Sequence, residues 1–189
     1  MKKIVLVVVL IAFLGAGTAF AHPSGLGIGI FGQYGFGDIG GTGGGLSLKI
    51  SGVPVFWGIS AGIGSDYFGF GVNGDFYIID NKIGGIDLEW YFGLGGFFRM
   101  DLYDRRYWLV QSAKFQNIST SYMYAGARIP IGLSFQFQMF DIFLQAVPSL
   151  GVSIYSGYEH VEGAWTYKDE GKIGFGWGVP IELGIRIWL

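Results

Sequence analysis

The sequence predicts an all-β fold, an eight-stranded antiparallel up-and-down transmembrane β-barrel, and three observations predict it. Between Gly171 and Leu189 every odd position from Ile173 onward is apolar, while the even positions carry Lys172, Glu182, Arg186, Pro180, Trp188 and four glycines. This period of two marks a strand with one wholly apolar side. Its other side, glycines with opposite charges, is no solvated surface, so lipid outside and a filled polar lumen inside suit both faces. The alternation recurs in seven further segments, which makes an even total, as closed bacterial barrels require. Finally, the connections alternate between short and long.

The elements follow in chain order. Met1-Lys2-Lys3, the apolar run Ile4 to Leu14 and then Ala19-Phe20-Ala21 predict a signal peptide over 1–21, with the barrel domain occupying 22–189. The apolar run is interrupted by Gly15, Ala16 and Gly17, short of the roughly 20 residues a spanning helix needs. No cysteine lies near the cleavage point to carry a lipid anchor, and the chain has none to form disulfides. The 35 glycines would weaken helices but suit a narrow barrel of strongly bent strands. A net charge of −2 without a basic stripe argues against nucleic acid as a partner.

Segment one, 25–36, sets Leu26, Ile28, Ile30, Tyr34 and Phe36 against glycines and Gln33. Segment two, 44–50, sets Leu46, Leu48 and Ile50 against Ser47 and Lys49. Segments three (55–63) and four (68–78) turn Trp57, Ile59, Ile63, Phe68, Phe70 and Ile78 outward, and Asn73, Asp75 and Tyr77 inward. Segment five, 86–100, sets Leu88, Trp90, Phe92, Leu94 and Phe98 against Asp87, Glu89, Tyr91 and Arg99. Segments six (122–138) and seven (142–155) continue with Ile131, Leu133, Phe135, Ile142, Leu144, Leu150 and Val152 outward.

Short turns at 51–54, 79–85 and 139–141 belong on the periplasmic side; 37–43, 64–67 and the longer polar loops 101–121 and 156–171 face outward. Proline removes a ladder hydrogen bond. Pro130 and Pro148 lie about equally far from the 139–141 turn, which predicts a pairing defect or bulge at one level, and Pro180 has no explanation in the pattern.

Inward positions carry Lys49, Arg99, Arg128 and Arg186 against Asp75, Asp87, Glu89 and Glu182, four of each sign. Isolated charges in so narrow a lumen would be costly, so a salt-bridge network is expected, filled out by Tyr77, Tyr91, Gln136 and Gln145. An eight-stranded interior is just wide enough for side chains to fill, which favours a plugged lumen over a pore.

Chemistry-bearing motifs are sparse. His160 lies in the last loop between Glu159 and Glu162, and Ser112, Ser119, Ser121 or Ser156 could meet it. A hydrolytic site would need a nucleophile, base and orienter together, and no spacing favours one, so no catalytic residue is expected. The spacing required of metal ligands is lacking, and no metal or cofactor is expected. The glycine run 40–45 has no following helix to form a phosphate loop. Arg105, Arg106, Tyr107 and Trp108, with Tyr158, Trp165 and Tyr167, are candidate loop contacts. The same residues also suit a strand extension or the aromatic girdle at lipid headgroups.

In its alternation, short turns, long loops and terminal amphipathic strand the chain resembles the small eight-stranded outer-membrane barrels, the group of the OmpA membrane domain, OmpX and OmpW. The runs Ala127-Arg128-Ile129-Pro130-Ile131-Gly132-Leu133 and Asp141-Ile142-Phe143-Leu144-Gln145-Ala146-Val147-Pro148 are similar to the penultimate hairpin of small barrel proteins from spirochaetes and related diderms. The resemblance implies insertion by the outer-membrane assembly machinery, which reads the last strand. Family members usually end in an aromatic residue; here Trp188 stands one place early, before Leu189.

The expected protein is a non-enzymatic monomer of the bacterial outer membrane, surrounded by its lipids. It supports the envelope or binds an extracellular protein or glycan through its loops. A narrow conduit for small or hydrophobic solutes, an outer-leaflet lipid-modifying enzyme using His160, and a soluble β-sandwich stand as alternatives.

Overall fold

The computed structural model describes residues 25–39, 41–84, 87–109, 114–161 and 164–189. The segment expected to be a signal peptide lies outside them. The described residues form β1 (Gly27–Gly37), β2 (Thr42–Lys49), β3 (Phe56–Gly64), β4 (Tyr67–Lys82), β5 (Leu88–Leu109), β6 (Lys114–Arg128), β7 (Ile131–Phe137), β8 (Phe140–Ala146), β9 (Ser149–Val161) and β10 (Ala164–Trp188).

All pairings are antiparallel, and β1 pairs with β10 from Gly27↔Trp188 to Gly37↔Gly178, which closes the ring. β5 pairs with both β6 and β7, and β10 with both β8 and β9. β6–β7 therefore form one wall position and β8–β9 another, giving an eight-stranded barrel.

The two strand breaks fall at Ile129-Pro130 and Val147-Pro148. They are gaps in the ladder and not bulges: the register of β6 on β9 (Arg128↔Ser149) carries on unchanged into that of β7 on β8 (Ile131↔Ala146). Each proline still accepts a bond through its carbonyl. Gly93 N–H donates to Pro130 O at 2.8 Å, Ile129 N–H to Pro148 O at 2.9 Å, and Val147 N–H to Pro180 O at 2.8 Å. Pro180 thus belongs to the same band as the other two, which the pattern alone did not reveal. Half of each hydrogen-bonded pair survives, and the missing proline N–H accounts for the other half.

A walk across paired residues measures the barrel. It runs Gly27, Lys49, Phe56, Asp75, Gly95, Arg128, Ser149, Gly178 and back to β1 at Gly37, ten positions from its start. For eight strands this shear gives a tilt of about 40° and a backbone radius of about 8 Å. The interior holds side chains and little else.

Two departures from regular pairing matter. The register of β4 on β5 shifts between Tyr77 and Ile79. That bulge turns Ile79 outward and buries Asp80. The second shift lies between Lys168 and Lys172 in β10. The loops expected at 101–121 and 156–171 are largely strand: β5 runs to Leu109, β6 starts at Lys114, β9 reaches Val161 and β10 starts at Ala164. Their backbone groups continue the antiparallel ladder, which satisfies them above the rim as it does in the wall.

Candidate functional site in the barrel lumen

Inside and outside are inverted relative to a soluble protein. Large apolar side chains on every wall are exposed, Phe175 at 84% and Ile63 at 83% among them, whereas Arg128, Arg186, Asp75, Asp141 and Glu182 are buried. The alternation dictates this, because each wall strand sends its charged parity inward.

The lower lumen is built around Arg186 on β10. Its guanidinium lies 2.9 Å from Asp141 on β8 and donates to Ser47 on β2 at 2.8 Å. Ser134 hydrogen-bonds the other Asp141 oxygen. The cation also sits 3.9 Å from the Phe143 ring centre and 4.9 Å from that of Phe56, within cation–π range. Phe56, Tyr77 and Tyr91 form a stack with centroids 4.3 and 4.4 Å apart, and Trp188 meets Phe56 edge-on at 6.4 Å. Trp188 is therefore an inward plug residue, and the outward terminal position belongs to Leu189.

Glycine makes room for this filling. A Cβ on Gly132 would fall 2.6 Å from the Tyr91 ring, and one on Gly184 would collide with Phe143. The inner wall is smooth where large rings lie across it.

The middle lumen is a chain of polar contacts. Arg128 lies 2.9 Å from both Asp75 and Glu182. Gln145 donates to Glu182 at 2.6 Å and accepts from Tyr91 at 2.8 Å, and Asn73 donates to Asp75 at 3.2 Å. Glu89 accepts from Gln136 at 2.9 Å. Lys49, at the lower end, donates to the carbonyls of Val53 and Ile50 and lies 5.5 Å from the Phe56 ring centre. In the upper lumen Arg99 pairs with Asp101 at 2.8 Å, and Tyr67 donates to Asp101 at 3.0 Å.

Of the eight charges expected to share the lumen, the structure brings Asp75, Arg128 and Glu182 into direct contact. It places Lys49, Glu89, Arg99 and Arg186 inside with other partners. Asp87 is a correction: it precedes β5, below the end of the wall, and its exposed carboxylate meets the exposed Lys82 at 3.5 Å. Three acids were missed, Asp80, Asp101 and Asp141, all buried. Asp101 shares the parity of Arg99, and Asp141 faces Arg186 in the register, so extending segments five and seven by one residue each would have found both. Asp80 had no such signal, because the bulge reverses its parity. Among the described residues the inward cations Lys49, Arg99, Arg128 and Arg186 face Asp75, Asp80, Glu89, Asp101, Asp141 and Glu182, an excess of acid in place of four against four.

Above Arg128 and Glu182 lies a cavity of about 30 Å³, lined by Gln33, Ser60, Asn73, Arg99 and Ser149 among others. It has room for one or two waters. Ile39 of the β1–β2 turn borders it. Ile39 is buried, with its N–H bonded to Trp177 O at 3.1 Å. The backbone at Gly41 lies against the Arg99 guanidinium, on the wall opposite that turn.

Arg105, Arg106, Tyr107 and Trp108 fall in β5, Tyr158 in β9, and Trp165 and Tyr167 in β10. Their side chains lie outside the described set, as does that of His160. Ser121 donates to the Ser156 carbonyl at 3.4 Å. Among the described residues no three potential metal ligands group together.

No protein-family model matches the chain, and no curated protein matches it. Two solved structures are similar to it. The N-terminal β-barrel domain of Pseudomonas aeruginosa OprF aligns at 12% identity and a TM-score of 0.42, covering 85% of this chain and 97% of that one. Neisserial surface protein A, NspA, aligns at 9% identity and a TM-score of 0.41, covering 87% and 96%. The eight-stranded barrel expected from the alternation and the resemblance is the fold observed.

Proposed function

We propose that the chain is an integral barrel of the bacterial outer membrane, non-enzymatic and closed to solutes, that serves the envelope structurally or binds partners at its outer rim. The observation that carries this reading is the inversion of the barrel: an apolar outer wall around an ion-paired, ring-filled core. Water would leave that outer wall unsatisfied, whereas hydrocarbon solvates it. The long hairpins β5–β6 and β9–β10 rise past the wall, far beyond the 9–11 residues a spanning strand needs. They form the surface offered to an extracellular protein or glycan. Lipids surround the wall, and assembly machinery inserts the chain as a monomer.

A conduit is disfavoured by the same geometry. Arg128 with Asp75 and Glu182, then Tyr91, Gln145 and the Phe56–Tyr77 stack, fill successive levels of the lower and middle lumen.

Refolded protein should migrate faster unheated than boiled on gel electrophoresis in mild detergent. The same sample should give no stable single-channel current in planar bilayers. Solubility of the refolded chain without detergent would overturn the membrane reading, and a steady large conductance would overturn the closed lumen.

A further inference from the structure

One stretch of the outer wall is left uncovered by its own side chains. A groove of about 460 Å³ opens there, lined by residues of β5, β7, β8 and β10. Its lower border is a cross-strand row, Trp90, Leu133 and Leu144. Its upper border is a second row, Ile131, Ala146 and Ile181. Between the rows the paired Gly132 and Gln145 form the floor. Both floor residues turn inward: a Cβ on Gly132 would meet the Tyr91 ring, and the Gln145 amide bonds Tyr91 and Glu182. Only backbone therefore faces outward along the floor.

The sequence explains why the groove lies here. Successive rows on one face of a sheet stand about 7 Å apart, close enough for long side chains to overhang the backbone between them. The outward positions of β8 carry Phe140, Ile142 and Leu144, and then Ala146, a methyl group alone. Around it Ile131, Leu133, Leu144 and Trp90 are exposed and form the rims. Four adjacent wall strands at a spacing of about 4.8 Å make the groove about 14 Å long. Leu144 and Ala146 lie four and six residues beyond Phe140, which sets the groove about 10–15 Å up the wall, inside an apolar band about 25 Å tall.

We propose that this groove binds one acyl chain of a membrane lipid, as a site distinct from the ordinary lipid contact of the rest of the wall. A long, narrow, apolar channel suits a flexible linear chain better than a ring system. Left empty, it would forfeit dispersion contacts along its whole lining, and hydrocarbon supplies them without desolvating a polar group. No charged side chain lines it, and the one amide, Gln145, is engaged on the lumen side, so the site recognises a chain and not a headgroup. The proposal rests on the membrane reading and names the place on the wall where that reading makes a lipid chain a specific partner.

The test uses full-length mature protein refolded into vesicles of dioleoylphosphatidylcholine containing a small fraction of phosphatidylcholine with a photoactivatable diazirine at the middle of one chain. After irradiation, labelled positions are mapped by peptide mass spectrometry. The expected result is labelling of 131–133 and 144–146 at least threefold above that of Leu46 and Ile59, exposed side chains on the far wall, each three residues from the lower end of its strand. Ala146→Leu fills the groove and should bring the label down to the far-wall level, whereas Leu46→Phe should leave it unchanged. Heat-modifiable migration checks that each variant folds. Should Ala146→Leu fail to fold, Ile131→Phe narrows the groove from its border and should have the same effect. Equal labelling of the two walls overturns the proposal, as does an excess that survives in the folded variants. Labelling of the groove below that of the far wall would mean that a second copy covers it, and overturns the proposal too. Solubility of the refolded chain without detergent would overturn the membrane reading and the site with it, whereas insertion with even labelling overturns the site alone.

Discussion

Replacing Arg128 with methionine tests the plugged lumen most directly. The guanidinium lies 2.9 Å from both Asp75 and Glu182, and all three side chains are almost wholly buried. At an effective dielectric near 20 each such pair attracts by about 4 kcal/mol at 4 Å, a gain that desolvation largely offsets while the pairs stay intact. Removing the cation alone abolishes both attractions and leaves two acids facing each other in a closed space. Breaking one buried pair costs about 3–5 kcal/mol, a large share of the roughly 5–15 kcal/mol that holds a domain together. Arg128→Met should therefore lose at least about 3 kcal/mol in urea unfolding from lipid vesicles, followed by tryptophan fluorescence. Neutralising the acids as well, with Asp75→Asn and Glu182→Gln, should recover most of that loss, since replacing a whole buried ion set with uncharged groups is often neutral. A single variant within about 1 kcal/mol of wild type would refute the network as a structural element. So would a triple variant no better than the single one.

Three further outcomes follow from the wall. Gly132→Val should lose about 1–3 kcal/mol or fail to fold, because the side chain needs the space of the Tyr91 ring, whereas Gly32→Ala, with nothing within 4 Å of the added carbon, should be close to neutral in the same unfolding assay. Leu183→Arg, on the exposed apolar side of β10, should cost about 2–4 kcal/mol in vesicles if it lies near the bilayer midplane, and Leu189→Arg, at the strand end, about 0–1 kcal/mol. Pro148→Ala supplies the N–H missing from a pair in which Ile129 already donates to residue 148, so hydrogen exchange at the new amide should be as slow as at its ladder neighbours; rapid exchange would mean the strand break has a cause other than proline.

The fold was legible because a barrel wall obeys one local rule on every strand. Ile28, Ile30, Leu46, Trp57, Phe68, Trp90, Leu133, Leu144, Leu150 and Leu183 were assigned outward by parity, and all are exposed or nearly so. The rule is blind to anything that changes parity or strand length. Asp80 escaped it because the bulge between Tyr77 and Ile79 inserts one residue. The upper parts of β5, β6, β9 and β10 escaped it because runs such as Asp104-Arg105-Arg106-Tyr107-Trp108 do not keep the period of two, and a run without that period reads as loop whether or not its backbone is paired. Pro180 escaped it because its explanation lies on β8–β9, at Val147, and not in its own strand.

The lumen was harder to read, for a related reason. Parity says that a charge points inward, but the partner depends on shear, which adds a displacement at every strand crossing. Arg186 faces Asp141 directly in the register, while Arg128 reaches Asp75 two strands away and Glu182 two strands away on the other side. Tallying inward charges by sign therefore suggested a balanced set with the wrong membership. The electrostatic constraint acts on each level of the barrel separately, because a buried charge is compensated by groups a few ångströms away and not by the lumen total. Arg186 with Asp141, Arg128 with Asp75 and Glu182, and Arg99 with Asp101 each meet that requirement at their own level. Two acids in excess over the set are compatible with a stable plug so long as each level is satisfied locally, as Glu89 is in part by Gln136.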